Sequence, residues 1–522
     1  MSRCKVLQSK RPKKIIWIVI DTLRADHLGC YGYSRDTSPS IDALARESML
    51  FKWSFSTCSY TMPSHASMFT GKYPPRHSTG FSNGPPVRPT DNDMFLAEIL
   101  SSSNYKTAAF VSAMVFGHER GVGIRQGFEI YDDRMTRSEL NRPHELIRLG
   151  EETNHEIFEW LSANWCEDFF LFVNYFDVHG PYLNPKPYDG LFVDDEFYGE
   201  PQYIERVVPE SRPLAGIPRY QVLKPVRNGR NECLNYEKDL RYYRAQYDGG
   251  IRYVDDRVRD LIDELKRLGI YDDSLIVFTS DHGEALGENG VYFFHGLTVT
   301  PEQIHVPLLI KPHRDWSVSS GVIDTHVSSV DIVPTILDLI NVAHGELGLD
   351  GTSLIELVEK GKDQGLEKRV ARAEIEGQIA YIDEGLVTTE PRHVDRRTGL
   401  LYTHVAELCE KKCSYEYSNR GFMREKVDCC SPEVSIVIVT YNSMQDIERC
   451  LESVYRNTDV PFEVIVVDNA STDGTQAYLK KATLPITILD QVNLGFSKAC
   501  NRGIREAEGN YVVLLNPDTI VT

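Results

Sequence analysis

The chain predicts an α/β fold built on two sheets, the first of them doubly wound. Three observations carry this. Short apolar runs that end in polar residues recur: residues 15–20 before Asp21, 169–175, and 275–280 before Asp281. Helical periodicity falls between them, as in an alternating strand–helix chain. A fresh strand–helix–strand pattern then begins at Ser435, after a stretch with no clear period. At 522 residues the chain exceeds what one core organises, so two or more domains are expected.

Taken in order, residues 10–14 are basic and precede the apolar run 15–20, which resembles the start of a secretory signal. A signal core needs about 7–15 apolar residues and a small-residue cleavage site. Asp21 ends this run too early, so it reads as a buried first strand in a cytoplasmic protein. No stretch approaches the roughly 20 apolar residues of a spanning helix, so no membrane segment is expected. Thr61-Met62-Pro63 fits the first turn of a helix, where proline is tolerated. Phe169 to Tyr175 reads as a strand buried on both faces. Residues 189–235, rich in Pro, Tyr, Asp and Arg, read as a long loop or insertion near a substrate mouth. Ile251, Val254, Val258, Leu261, Ile262, Leu265 and Leu268 form one helical stripe, and Gly269 supplies its stop. The strand before Asp281 follows, then a short strand at 307–310 and a helix at 330–340.

Periodicity fades from about 384 to 431. The expected domains are therefore 12–400, a linker over 401–432, and 433–522. The 11 cysteines are mostly scattered, as in a reduced protein. Cys409, Cys413, Cys429 and Cys430 sit near the linker. Their irregular spacing and the lack of a histidine pattern favour coincidence over a zinc knuckle.

Composition bounds the function. The chain is 41% hydrophobic and 25% charged, the values of an ordinary globular protein. A net charge of -19 argues against a nucleic-acid partner, which needs a basic face. It leaves an anionic substrate open, because a bound cation reverses the field locally. Asp21, Asp281 and His282 lie at the C-terminal ends of expected strands, which converge on one crevice in such sheets. With the Thr61 hydroxyl they form a donor set for a divalent cation (Ca, Zn, Mn or Mg) and an oxygen nucleophile.

Residues 20–32, from Ile20-Asp21-Thr22 to Cys30-Tyr31-Gly32, resemble the opening motif of the sulfatase branch of the alkaline phosphatase superfamily. Thr61-Met62-Pro63-Ser64-His65, continuing to Thr70-Gly71, is similar to its nucleophile motif. Tyr247-Asp248, the run 279–284 and the run 330–335 fall where that family has like segments. The resemblance implies an alkaline phosphatase/sulfatase-like sheet over roughly 12–400. It implies Asp21, Thr61, Asp281 and His282 as metal ligands and Thr61 as the catalytic nucleophile. His295 would contact the substrate anion or a second metal. His179 would bind a non-bridging oxygen or protonate the leaving group, and His65 would bind substrate or cap the helix. Asp177 and Asp248 are expected as packing residues.

The chain departs from that pattern. Thr61 stands where formylglycine sulfatases carry Cys or Ser, His65 where they carry Arg, and Thr22 where a second aspartate is usual. Threonine is not converted to formylglycine, and Cys58 has the wrong spacing. The set looks more like the superfamily's phosphoryl-transfer members, and residues 287–307 are similar to the phosphoethanolamine transferases.

The second region has its own resemblance. Val434 to Ser443, with Val466 to Gly474, Asn493 to Lys498 and Leu515-Asn516-Pro517-Asp518, resembles the start of a family 2 glycosyltransferase of the GT-A type. This implies an incomplete, Rossmann-like nucleotide-binding half-domain. Thr440, Tyr441, Asn442, Asp468 and Asp518 would bind a nucleotide-sugar donor. Asp468 would meet the base, and Asp518 would hold Mg or Mn against the diphosphate. The acceptor half is expected to be missing, so sugar transfer by this stretch is not expected.

The whole reads as a metal-dependent hydrolase of sulfate or phosphate esters fused to a glycosyltransferase part, in surface-glycan metabolism. Its partners would be an anionic ester, with a glycan as one candidate, and a nucleotide-sugar. A glycan-modifying phosphotransferase and a non-catalytic scaffold are the alternatives.

Overall fold

The apolar run at the start of the chain forms β1 (Lys14–Ile20), buried along its whole length. Its side chains alternate. Ile16, Ile18 and Ile20 enter one apolar cluster, and Ile15, Trp17 and Val19 enter another. A strand apolar on both faces needs a helix layer on each side. The computed structural model describes residues 11–77, 79, 93–117, 124–139, 141–193, 197–208, 216–224, 226–227, 233–316, 320–360, 369–375, 378–383, 386–391, 413–418, 421–425, 434–458, 462–482, 484, 486–490, 492–493, 495–507 and 511–521. They fall into two compact units, Met1–Glu425 and Lys426–Thr522.

In the first unit β1 sits inside an eight-stranded sheet. The other strands are β2 (Met49–Phe55), β3 (Lys106–Phe110), β4 (Ile130–Asp132), β5 (Phe169–Tyr175), β6 (Ser274–Ser280), β7 (Leu308–Lys311) and β8 (Gly321–Ser328). Their order is β8-β2-β7-β6-β1-β5-β3-β4. From β6 through β4 all neighbours run parallel, whereas β7 is antiparallel to both β6 and β2. Helices α1 (Pro39–Arg46), α2 (Thr61–Thr70), α3 (Leu96–Ser102), α4 (Gly150–Asn164), α5 (Leu240–Arg267) and α6 (Ile332–Leu339) flank this sheet. Leu44, Leu161 and Val254 bring α1, α4 and α5 to one face. Met68, Leu96 and Ile336 bring α2, α3 and α6 to the other. The expected doubly wound layering is present.

The expected stripe on α5 is buried from Ile251 to Leu265, and Gly269 follows it with φ +71°. The same helix carries a buried acid that holds a neighbour. Asp255 accepts the N–H groups of Ser40 and Ile41 at 3.0 and 2.8 Å, filling first-turn donors of α1. Burial pushes its carboxyl up to about 6, although those donors pull the other way. An acid with a raised folded pKa stabilises the fold below its unfolded pKa and loses that contribution as pH rises. Between about pH 4 and 6 the wild type should therefore lose on the order of 2 kcal/mol from this group. Asp255→Asn should flatten that slope, and urea midpoints of both proteins at the two pH values measure it. Equal slopes would rule the coupling out.

The expected linker is corrected. A five-stranded antiparallel sheet follows the main one: β9 (Ala371–Ile375), β10 (Gln378–Asp383), β11 (Leu386–Pro391), β12 (Cys413–Ser418) and β13 (Gly421–Glu425). Ala371, Ala373, Ile375, Ala380, Ile382 and Val387 pack with Trp53, Phe55, Val299 and Ile304. The first unit thus reaches Glu425 instead of ending at 400, because β12 and β13 complete this sheet. Cys409, Cys429 and Cys430 lie outside the described residues.

The second unit carries a four-stranded sheet of β14 (Val434–Thr440), β15 (Phe462–Asp468), β16 (Ile486–Asp490) and β17 (Tyr511–Leu515), in the order β16-β15-β14-β17. All pairs are parallel. Helix α7 (Ile447–Asn457) packs on one face through Cys450, Leu451 and Val454. Helix α8 (Phe496–Glu506) packs on the other through Ala499 and Cys500. No described helix is long and apolar enough to cross a membrane.

Candidate active site

Ile20 and Ser280 are partners across the β1–β6 pair, so Asp21 and Asp281 leave the sheet side by side. The Asp21 N–H donates to the Tyr175 carbonyl at 2.9 Å, which ties this exit to β5. The chain then turns at Thr22, with φ +58°. Asp281 Oδ1 accepts the N–H groups of Thr22 and His282 at 3.2 and 2.8 Å. Its Oδ2, and both oxygens of Asp21, are buried with no hydrogen-bond partner. Buried carboxylate oxygens without donors are costly and need an opposite charge.

Burial, then Asp281, then Glu284 push the Asp21 carboxyl well above its ordinary range. Ligand atoms of Asp21, Asp281 and His282 lie within 4.8 Å of one another. His282 Nε2 is 3.3 Å from Asp281 Oδ2 and 4.0 Å from Asp21 Oδ1. Its Nδ1 lies 2.9 Å from the Gly283 carbonyl, which assigns the proton to Nδ1 and a lone pair to Nε2. Burial lowers this imidazole to about 4, so it is neutral at pH 7. Two ionisable carboxylates and a neutral imidazole, with oxygens that lack donors, fit a divalent cation.

Thr61 opens α2, and its Oγ1 lies 3.1 Å from His282 Nε2. Ser64 Oγ donates to the Asp281 carbonyl at 2.6 Å and pins that helix start to the strand end. His65 lies beside the same cluster, its Nδ1 3.6 Å from Asp281 Oδ2. It is one turn along α2 and fully buried, with Nδ1 donating to the Thr61 carbonyl at 2.8 Å. Its ring packs on Phe116 and Phe172. The i to i+4 geometry turns it into the helix's inner face, where it braces Thr61 instead of lining the mouth.

His295 and His179 do face the site. Ring centroids of His282 and His295 are 4.4 Å apart, and those of His295 and His179 are 5.1 Å apart. His295 Nδ1 lies 3.2 Å from Glu284 Oε1. Glu284 is fully buried and sequence reasoning did not single it out. Its signal was present, as a carboxylate two residues after His282. His179 Nδ1 donates to the Gly180 carbonyl at 2.6 Å, leaving a lone pair on Nε2. Burial and the neighbouring His295 hold its pKa well below the ordinary value. With the proton on Nδ1, His179 Nε2 can accept a hydrogen bond.

A cavity of about 160 Å³ opens over Thr61, walled by Tyr60, Phe176, His179, Phe294 and His295 among others. The insertion expected near the mouth contributes Tyr220. Asp248 is a packing residue, bound by His27, Tyr33 and Tyr198. Asp177 accepts the Gly150 N–H at the start of α4.

In the second unit, Thr440 and Asp468 face each other at the ends of β14 and β15. Asp468 is fully buried. Its Oδ1 accepts the Thr440 hydroxyl at 2.9 Å, and its Oδ2 accepts Ser471 N–H and the Gln476 amide at 3.0 and 2.7 Å. Burial raises its pKa, but these donors outweigh that and hold it below the ordinary value. It braces the loop, with one hydrogen bond to Oδ1 and two to Oδ2. Tyr441, Asn442 and Asp518 are exposed.

This fold and site define the class, an ester hydrolase of the alkaline phosphatase superfamily. The chain belongs to the sulfatase family: the Sulfatase family model matches residues 13–342. It is an enzyme that acts on sulfuric or phosphoric esters. The model described as Glycosyl transferase family 2 matches residues 435–522. An ulvan-active sulfatase of Formosa agariphila is 26% identical over 361 residues, covering 68% of this chain and 67% of its own. The multifunctional alkaline phosphatase superfamily protein PehA of Trinickia caryophylli is 25% identical, covering 67% of this chain and 78% of its own. Among solved structures, the phosphonate monoester hydrolase of Agrobacterium radiobacter aligns with TM-score 0.55 at 20% identity, over 73% of this chain and 87% of its own. A structure in complex with D-glucosamine-2-N,6-O-disulfate aligns with TM-score 0.59 at 16% identity, over 73% and 89%. These likenesses show the same fold.

Proposed function

We propose that the first unit hydrolyses a sulfate or phosphate ester on a glycan by attack of the Thr61 hydroxyl, beside a divalent cation held by Asp21, Asp281 and His282. The supporting observation is the set of three buried carboxylate oxygens without hydrogen-bond partners around His282, whose Nε2 lies 3.1 Å from Thr61 Oγ1. A cation there supplies Lewis acidity, lowering the hydroxyl's pKa and drawing charge from the ester. Thr61 Oγ1 forms the new bond to sulfur or phosphorus and releases its proton, which the ester's bridging oxygen takes up as its own bond to that atom breaks and it leaves as an alcohol. Water then attacks the same atom, breaks the bond to Oγ1 and restores the hydroxyl. His295, held by Glu284, faces the anion's outer oxygens. His179 accepts a hydrogen bond through Nε2 on the leaving-group side. His65 and Ser64 fix the direction of Thr61.

A glycan substrate is favoured by the ulvan-active relative and by the structural neighbour that holds a sulfated glucosamine. The test measures sulfate and phosphate release from 4-nitrophenyl esters by metal-replete protein, with and without chelator. No turnover of either ester would sink the proposal. Adding glycan acceptors reads phosphotransfer, which the covalent Thr61 ester also permits.

For the second unit we propose a nucleotide-sugar site at the C-terminal ends of β14, β15 and β17. Tyr441 and Asn442 would meet the nucleotide, and Asp518 the Mg or Mn bound to its diphosphate. Thr440 and Asp468 would brace the loop. Calorimetric titration of UDP and dTDP with Mn should show binding that Asp518→Ala weakens about tenfold. Equal affinity in the variant would remove Asp518 from the site.

A further inference from the structure

A second cavity of about 300 Å³ adjoins the one over Thr61, at the lower end of the range that holds a small ligand. The two share the walls Glu139, Ile147, Phe176 and His179. Phe176 and His179 are stacked at 4.2 Å and form the partition between them. One hairpin, with strands Arg137–Ser138 and Leu146–Ile147, borders both sides. An ester seated on Thr61 with its leaving-group oxygen toward His179 therefore carries whatever is attached to that oxygen across the partition.

The chemistry of the second cavity is mixed. Leu149, Pro181, Leu183 and Pro185 give apolar wall, while Ser138 and Asn184 give hydrogen-bonding groups. Its cationic side chains are already matched to acids: Arg137 pairs with Glu152 at 2.9 Å and Arg148 with Asp132 at 2.8 Å. A second substrate anion would have to compete with those pairs. A ring with apolar faces and hydroxyl edges would not.

We propose that this cavity is a subsite for an uncharged sugar ring linked to the esterified residue, so that the enzyme selects esters whose neighbouring sugar is neutral. This rests on the ester-hydrolase reading. Its test uses three probes: a 4-nitrophenyl ester, a disaccharide monoester with a neutral neighbour, and the same disaccharide with a uronic acid neighbour. Leu183→Trp and Ser138→Trp would each narrow the cavity from its exposed rim. In both variants the ratio of kcat/KM for the neutral disaccharide to that for the aryl ester should fall at least about tenfold. The wild type should prefer the neutral disaccharide over the uronate by a similar factor. An unchanged ratio in both variants, or preference for the uronate, would overturn the subsite while leaving the hydrolase reading in place. Failure of the wild type to cleave the aryl ester would overturn both.

Discussion

Thr61→Ala should abolish ester hydrolysis, with kcat falling by at least about 10⁴-fold while the protein stays folded. The hydroxyl lies 3.1 Å from His282 Nε2, at the acid–histidine cluster. The substitution removes that oxygen and leaves the contacts that seat the helix: Ser64 on the Asp281 carbonyl and His65 on the Thr61 carbonyl. Thermal unfolding should therefore change little. Thr61→Ser keeps the oxygen and should recover part of the rate. Quenching the wild type in mid-turnover and mapping peptides by mass should place the transferred group on Thr61. Ordinary turnover by the alanine variant would assign the nucleophile elsewhere.

The second large effect concerns the cation. Asp281→Asn keeps an oxygen for the Thr22 and His282 N–H groups but puts an amide where the proposed cation site has a carboxylate oxygen without a hydrogen-bond partner. Metal content should fall to background, and activity by at least about 10³-fold. Removing the cation from the wild type should also destabilise it, and the pH dependence has a definite sign. Burial, Asp281 and Glu284 raise the Asp21 carboxyl in the metal-free protein. A raised acid contributes stability at low pH and loses it as pH rises. Chelation should thus lower the melting temperature more at about pH 7.5 than at about pH 5. Added cation should restore it. Metal-independent activity with an unchanged melting temperature would exclude the site.

The parts of this site that were legible in the sequence are those fixed by strand ends. Asp21, Asp281 and His282 follow apolar runs whose register the sheet imposes, and the alternation of residues 15–20 between two cores is the same signal seen in space. His65 was harder. Its spacing from Thr61 fits both a site residue and a helix's inner face, and only the packing of Phe116 and Phe172 decides. β12 and β13 were hidden by charges and cysteines, because an antiparallel hairpin on an existing sheet needs little apolar content of its own. β16 was hidden for a related reason: it is a sheet edge with half-exposed side chains. The hairpin at 137–147 has two-residue strands, too short for any period to register.

Asp281 uses its two oxygens for different purposes. One fastens the turns after β1 and β6 together, and the other faces the cluster. Asp281→Asn should therefore separate the two roles, since an amide oxygen can still hold both turns while the cluster loses a carboxylate oxygen.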